Sequence, residues 1–224
     1  MSYGQIAIAE QTGLSSSGTY NFTPSDFTMA DGTSVSSSDA VIIRSIIHGN
    51  NVTINRTGDP NSDSTFEINE QVTSRSGGGE YHSATHPVTN VAGIEIVNEH
   101  SSSQDIVVIA EYVDTADVFV EQATGVTDTN ELTRTTSSRG TDETILEIVT
   151  SGDADLDRRY DANDDGTYEV DQNVATYTGS NVITETWLNS VDVSGRSNPA
   201  FQNALVNISG SANDMMIIGT ITDA

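Results

Sequence analysis

AVIIRSIIHGNNVTINRT, residues Ala40–Thr57, holds two runs rich in β-branched residues, parted by a turn of His, Gly and Asn. In the second run Val52 and Ile54 alternate with polar residues and so share one face, which is the pattern of a half-buried strand. HGNN, at 48–51, has the composition of a chain reversal. Working outward, the same short rhythm recurs: Ile6 and Ile8 in QIAIA, Phe66 and Ile68 in TFEIN, then AGIEIV, QDIVVIAEYV, DVFVEQ, TILEIVT, NVITETWL, NALVNIS and MMIIGTIT. These short β-branched runs are separated by clusters such as NEHSSSQD and SGSAND, and they read as strands. No stretch sustains the apolar spacing of an amphipathic helix. The chain is therefore expected to be all-β, a sandwich or jelly roll of a dozen or so strands.

Two stretches break the rhythm. TSRSGGGEYHSATHPVTN, 73–90, and ATGVTDTNELTRTTSSRGTDE, 123–143, lack an apolar face and are expected to be long exposed excursions. A single domain over 1–224 is the first expectation, with a split into two β modules near 123–143 as the alternative; no internal repeat stands out.

Charge narrows the setting. The 224 residues carry 33 acidic and 8 basic side chains, a formal charge of −25, and every basic residue is arginine. Such a surface repels itself in dilute buffer. At molar salt the Debye length falls to about 3 Å and neighbouring carboxylates hardly interact. The composition is that of a protein adapted to brine. It disfavours nucleic acid, whose phosphates need a basic stripe, and anionic lipid surfaces. Metal cations, proteins and neutral glycans remain as partners. There is no cysteine, so disulfides and thiolate metal sites are excluded. The start, MSYGQIAIAEQTG, has no basic and apolar leader, which leads to the expectation of a protein made without export. No apolar run is long enough to span a membrane as a helix.

RRYDANDDGTYEVDQ, 158–172, crowds five carboxylates around one glycine. Calcium loops place oxygens at positions 1, 3, 5, 7 and 12 with glycine at 6. Counting from Asp161 gives Asp161, Asn163, Asp165, Gly166 and the Thr167 carbonyl; position 12 is Gln172, where glutamate is expected, with Glu169 or Asp171 as substitutes in a tighter loop. The competing reading is an acidic turn between two strands. His82 and His86, with Glu80 beside them, have metal-ligand spacing only on a helix, and Gly77–Gly79 and Pro87 oppose one, so exposed loop histidines are expected. SGGGE, 76–80, lacks the lysine and helix of a phosphate loop. No catalytic elbow is present, carboxylate pairs are too common to discriminate, and Trp187 sits in a strand pattern. Sequons occur at Asn21, Asn51, Asn55 and Asn207. No enzymatic activity and no required cofactor is expected; structural calcium is the one candidate ion.

The lysine-free acidic composition, the start MSYGQIAIAEQTG, and the succession NFTPSDF, AVIIRSIIHGNNVTINRT and AGIEIVNEHSSSQDIVVIAEYV give the chain a character that resembles the single jelly-roll major capsid proteins of icosahedral, membrane-containing haloarchaeal viruses. The resemblance implies a single upright jelly-roll barrel with long exposed loops, packed in a shell beside copies of itself and other capsid proteins. It implies a virion component assembled in the host cytoplasm, with no direct membrane insertion and with cations from the surrounding salt between its acidic surfaces. It transfers no functional residue. Alternatives with the same composition are a tail-tube, decoration or receptor-binding protein of a tailed haloarchaeal virus, a cytoplasmic halophilic β-sandwich enzyme, and a calcium-dependent adhesin.

Overall fold

The computed structural model describes residues 4–134, 141–190 and 201–223. Their regular secondary structure is almost wholly β-strand, as the periodicity predicts, and they divide into two units, Met1–Val118 and Phe119–Ala224.

In the first unit the strands are β1 (Ile6–Leu14), β2 (Thr19–Phe22), a two-residue β3 (Thr28–Met29), β4 (Ala40–His48), β5 (Val52–Gly58), β6 (Ile68–Arg75), β7 (Gly79–Val88), β8 (Ala92–Asn98) and β9 (Gln104–Val113). One sheet runs β3-β1-β9-β4-β7 and the other β2-β8-β5-β6. With β3 set aside, the first strand pairs the eighth, the second the seventh, the third the sixth and the fourth the fifth. That is a long antiparallel ribbon rolled on itself, the jelly-roll arrangement. Each sheet turns alternate residues inward: Ala7, Ala9, Val41, Ile43, Ile46, Ile106 and Val108 from one, and Phe22, Val52, Ile54, Ile94 and Ile96 from the other, form the core. AVIIRSII does not alternate strictly, and the register shift between Ile43 and Ser45 explains how Ile43 and Ile46 both point inward.

The second unit repeats this arrangement. Its strands are β10 (Val118–Val126), β11 (Glu131–Thr133), β12 (Thr141–Thr150), β13 (Ala154–Tyr160), β14 (Val170–Tyr177), β15 (Asn181–Ile183), β16 (Trp187–Ser190), β17 (Phe201–Asn207) and β18 (Asn213–Asp223). The sheets run β10-β18-β12-β15, with β16 also on β12, and β11-β17-β13-β14. Only the sixth strand, the counterpart of β7, is changed, broken into β15 and β16. Details recur with the wiring. The bulge of β4 reappears on β12 between Ile145 and Glu147, and that of β5 between Ile54 and Asn55 reappears on β13 between Leu156 and Asp157. Gly13 and Gly125 both adopt φ 64°, and their N–H groups donate to Asp105 at 2.7 Å and to Asp214 at 2.8 Å. Where Ala7 faces Ala110 in the first unit, the second has Phe119 against Gly219, whose missing Cβ would lie 2.5 Å from the ring. The chain is one sandwich built twice, where a single barrel without repeats was the first expectation and two β modules parted near 123–143 the alternative; the division falls at Val118 and Phe119.

The buried Asn98 and Asn207 do the same work in each copy. The Asn98 amide donates to the carbonyls of Leu14, Ser15 and Ser102 at 2.8–3.0 Å, and that of Asn207 to Val126 and Ser211 at 2.7 and 2.6 Å. Each side-chain oxygen accepts the N–H two residues on, from His100 or Ser209. Replacing either asparagine with alanine strands buried carbonyls, and each change is expected to cost about 2–3 kcal/mol in denaturant unfolding at molar salt; a loss under about 0.5 kcal/mol would show that water replaces these bonds without cost.

Both expected excursions are corrected. Residues 73–90 contain the end of β6 and the whole of β7, which pairs with β4. Its polar look misled because one face of the strand is wet and because five residues, His82 to His86, stand opposite only the three from Ile43 to Ser45. Residues 123–143 contain the end of β10, β11 and the start of β12; the 135–140 portion lies outside the described residues. Among the described residues no helix is long and apolar enough to cross a membrane.

Candidate cation loops

The stretch from Asp161 to Glu169 joins β13 to β14, and its counterpart in the first unit, Asp59 to Glu67, joins β5 to β6. Side by side they read DPNSDSTFE and DANDDGTYE. Every odd position agrees: Asp59 and Asp161, Asn61 and Asn163, Asp63 and Asp165, Thr65 and Thr167, Glu67 and Glu169. Every even position differs. Each retained position bears a side-chain oxygen.

The two loops also fold alike. The first aspartate of each is buried, Asp59 at 2% and Asp161 at 0% exposure, and its carboxylate accepts backbone N–H groups: Asp59 from Asp63 and Ser64 at 3.1 and 2.8 Å, Asp161 from Asp164 and Gly166 at 2.7 and 3.0 Å. Asn61 and Asn163 accept the N–H of Asp63 and Asp165 at 3.0 and 3.1 Å, and Asp63 and Asp165 accept those of Thr65 and Thr167 at 2.8 and 2.7 Å. Left-handed residues recur at Ser62 and Asp164, and at Ser64 and Gly166. The last carboxylate is held differently for a simple reason. Glu169 accepts the N–H of Ala162 at 2.6 Å; proline at position 60 has no N–H, and Glu67 accepts instead from the Asn61 amide at 3.1 Å.

In each loop Asp, Asp and Glu (59, 63, 67 and 161, 165, 169) bring one oxygen apiece within 4.8 Å of one another. The backbone N–H of Thr65 holds the Asp63 carboxyl below its ordinary value, helped by the Thr65 hydroxyl, and Thr167 does the same for Asp165. Both stay ionised in mild acid. The donor set is all oxygen and anionic, and it suits a hard cation such as calcium; counted with the Asn side-chain oxygen and the Thr carbonyl, it approaches the six to eight oxygens that ion takes.

Of the residues expected from the sequence, Asp161 and Asp165 are brought together, Asn163 and Thr167 lie in the same turn, and Gln172 is placed elsewhere. Gln172 stands on β14 opposite Arg158, with its amide donating to the Asp171 carbonyl at 2.6 Å. Glu169 takes the closing position instead, because the strand starts at Val170 and carries position 12 away along the ladder. Of the two histidines one is corrected. His82 is exposed, as expected, with its Nε2 3.4 Å from a Glu80 carboxylate oxygen, whereas His86 is fully buried and bonded to the Tyr81 hydroxyl at 3.1 Å. Asn207, a sequon residue, is fully buried, and its amide is occupied. Trp187 is half-buried against the second core.

No protein-family model and no curated protein matches the chain.

Proposed function

We propose that this chain is a structural protein of a haloarchaeal virus particle, building an icosahedral shell by self-association in concentrated salt. The observation that carries the proposal is the jelly-roll sandwich made twice in a lysine-free chain of charge −25. Two rigid sandwiches in one chain give repeated, edge-limited building surfaces, and the acidic exterior makes their contacts depend on screening. The partners in this proposal are other copies and further capsid proteins, and the location is the virion, after assembly in the host cytoplasm. The resemblance to single-barrel capsid proteins then extends to character alone, since this chain carries two sandwiches.

Within that role the loops at Asp59–Glu67 and Asp161–Glu169 hold structural calcium. A bound divalent ion would supply charge neutralisation among three carboxylates, while Asn61 and Asn163 and the backbone of each turn keep the oxygens facing inward. A decoration or receptor-binding protein of a tailed virus is the second reading, favoured by the tandem arrangement of two loop-bearing modules. Sizing the purified protein by light scattering at molar salt and again at low salt tests the proposal. Large regular assemblies at molar salt that dissociate on dilution are expected, and a monomer under both conditions defeats it.

A further inference from the structure

At one end of the first sandwich, four separate connections meet around a cavity of about 260 Å³. Pro24 comes from the segment after β2 and Ser37 from the segment before β4. Ser62 and Ser64 come from the loop after β5, and Asn90 and Val91 from the turn between β7 and β8. The lining selects a class of ligand. Among the described residues, the hydroxyls of Ser37, Ser62 and Ser64 and the carboxamide of Asn90 have no hydrogen-bond partner within the protein, so they offer donors and acceptors together to whatever enters. No arginine and no aromatic ring lines the cavity among the described residues, whereas the carboxylate of the buried Asp59 does. Anions are repelled there, and flat aromatic ligands find nothing to stack on. Pro24 and Val91 set small apolar surfaces beside the polar groups. This combination suits a compact neutral molecule dense in hydroxyls, whose O–H groups both donate and accept and whose C–H edges need cover.

The second copy of the loop shows that the turn does not need these serines. Gly166 stands at the position of Ser64, and both are left-handed, at φ 84° and 73°. Glycine takes that conformation freely, whereas a residue with a side chain is strained in it. Strain kept in one copy and absent from the other points to a use for the side chain that is kept. At the position of Ser62 the second loop has Asp164, a charge where the first copy holds a neutral hydroxyl.

We infer that the cavity among Ser37, Ser62, Ser64 and Asn90 binds a neutral sugar, one monosaccharide unit in extent. The inference goes beyond the shell reading and does not depend on it. Saturation-transfer NMR on the full chain in molar sodium chloride tests it, with mannose, galactose and glucose as probes, in calcium and again in chelator. At least one of these sugars is expected to bind with a dissociation constant of about 1 mM, the strength that a few hydrogen bonds supply. Asn90→Ala and Ser64→Gly should each weaken that binding about tenfold, while Asp161→Asn in the second loop leaves it unchanged. Ser64→Gly copies the second loop and relieves the strained residue, so its effect is not a failure to fold. Binding of none of the three sugars in either condition, or binding at full strength in both cavity variants, overturns the inference. Either result leaves the shell reading to be decided by light scattering.

Discussion

Transferred from molar salt to about 0.1 M, where the Debye length grows to about 10 Å, the chain is expected to lose its cooperative fold. Two like charges about 7 Å apart repel by about 0.6 kcal/mol in water, and with 33 acidic against 8 basic residues many such pairs go unanswered. Their sum rivals the roughly 5–15 kcal/mol that holds a domain folded. The basic side chains are largely committed: Arg134 to Glu121 and Glu143, and Arg159 to Asp171 and Glu131. Asp157 shows the repulsion locally. Burial raises its carboxyl above the ordinary value, with Asp171 and Asp155 adding to the effect. A carboxyl raised in the folded state opposes folding once ionised, so the penalty is full at neutral pH and vanishes below the unfolded value. Asp157→Asn is accordingly expected to raise the thermal midpoint at neutral pH, most at the lowest salt that still keeps the chain folded, and to make no difference in strong acid. Circular dichroism during salt dilution checks the main expectation; an unchanged, cooperative transition at low salt would remove the physical basis of the proposed role.

Calcium added in molar sodium chloride is expected to raise the thermal midpoint, and Asp59→Asn together with Asp161→Asn to abolish the rise. At a hundredfold excess over the dissociation constant, each site contributes about 2.7 kcal/mol, so each single variant should lose about half the effect. Asparagine keeps the shape of the buried aspartate while removing the charge that an ion needs. Within the second loop the outcome separates two ligand sets: Glu169→Gln should weaken the response, and Gln172→Ala should not. Acid acts with a definite sign. The Asp63 and Asp165 carboxyls lie below the ordinary value, so the response is present above the carboxylate range and disappears as pH falls through those lowered values. Calorimetry giving equal midpoints with calcium and with chelator would show that the loops are simple acidic turns.

The second loop was legible in the sequence because Gly166 and the run of acids match a known ligand spacing. The first was not, since Pro60, Ser62 and Ser64 stand at its variable positions and TFEIN reads as the start of a strand. The signal that finds it is the agreement of alternate residues between DPNSDSTFE and DANDDGTYE. The duplication stayed hidden for a related reason. Gly13 and Gly125, Asp59 and Asp161, and Asn98 and Asn207 stand 112, 102 and 109 residues apart, so the period drifts through loops of unequal length and no single offset aligns the copies.

By itself the sequence determined what is local or summed over the chain: strand character follows from side-chain alternation along each run, and the net negative charge, with the expectation of brine it raises, follows from composition. Tertiary structure alone decided how many sandwiches form, which carboxylates meet, and that Gln172 is carried off while Glu169 closes the loop. Strand pairing joins residues far apart in the chain, and its register depends on bulges at Ile43 and Ile145 whose positions no local pattern encodes.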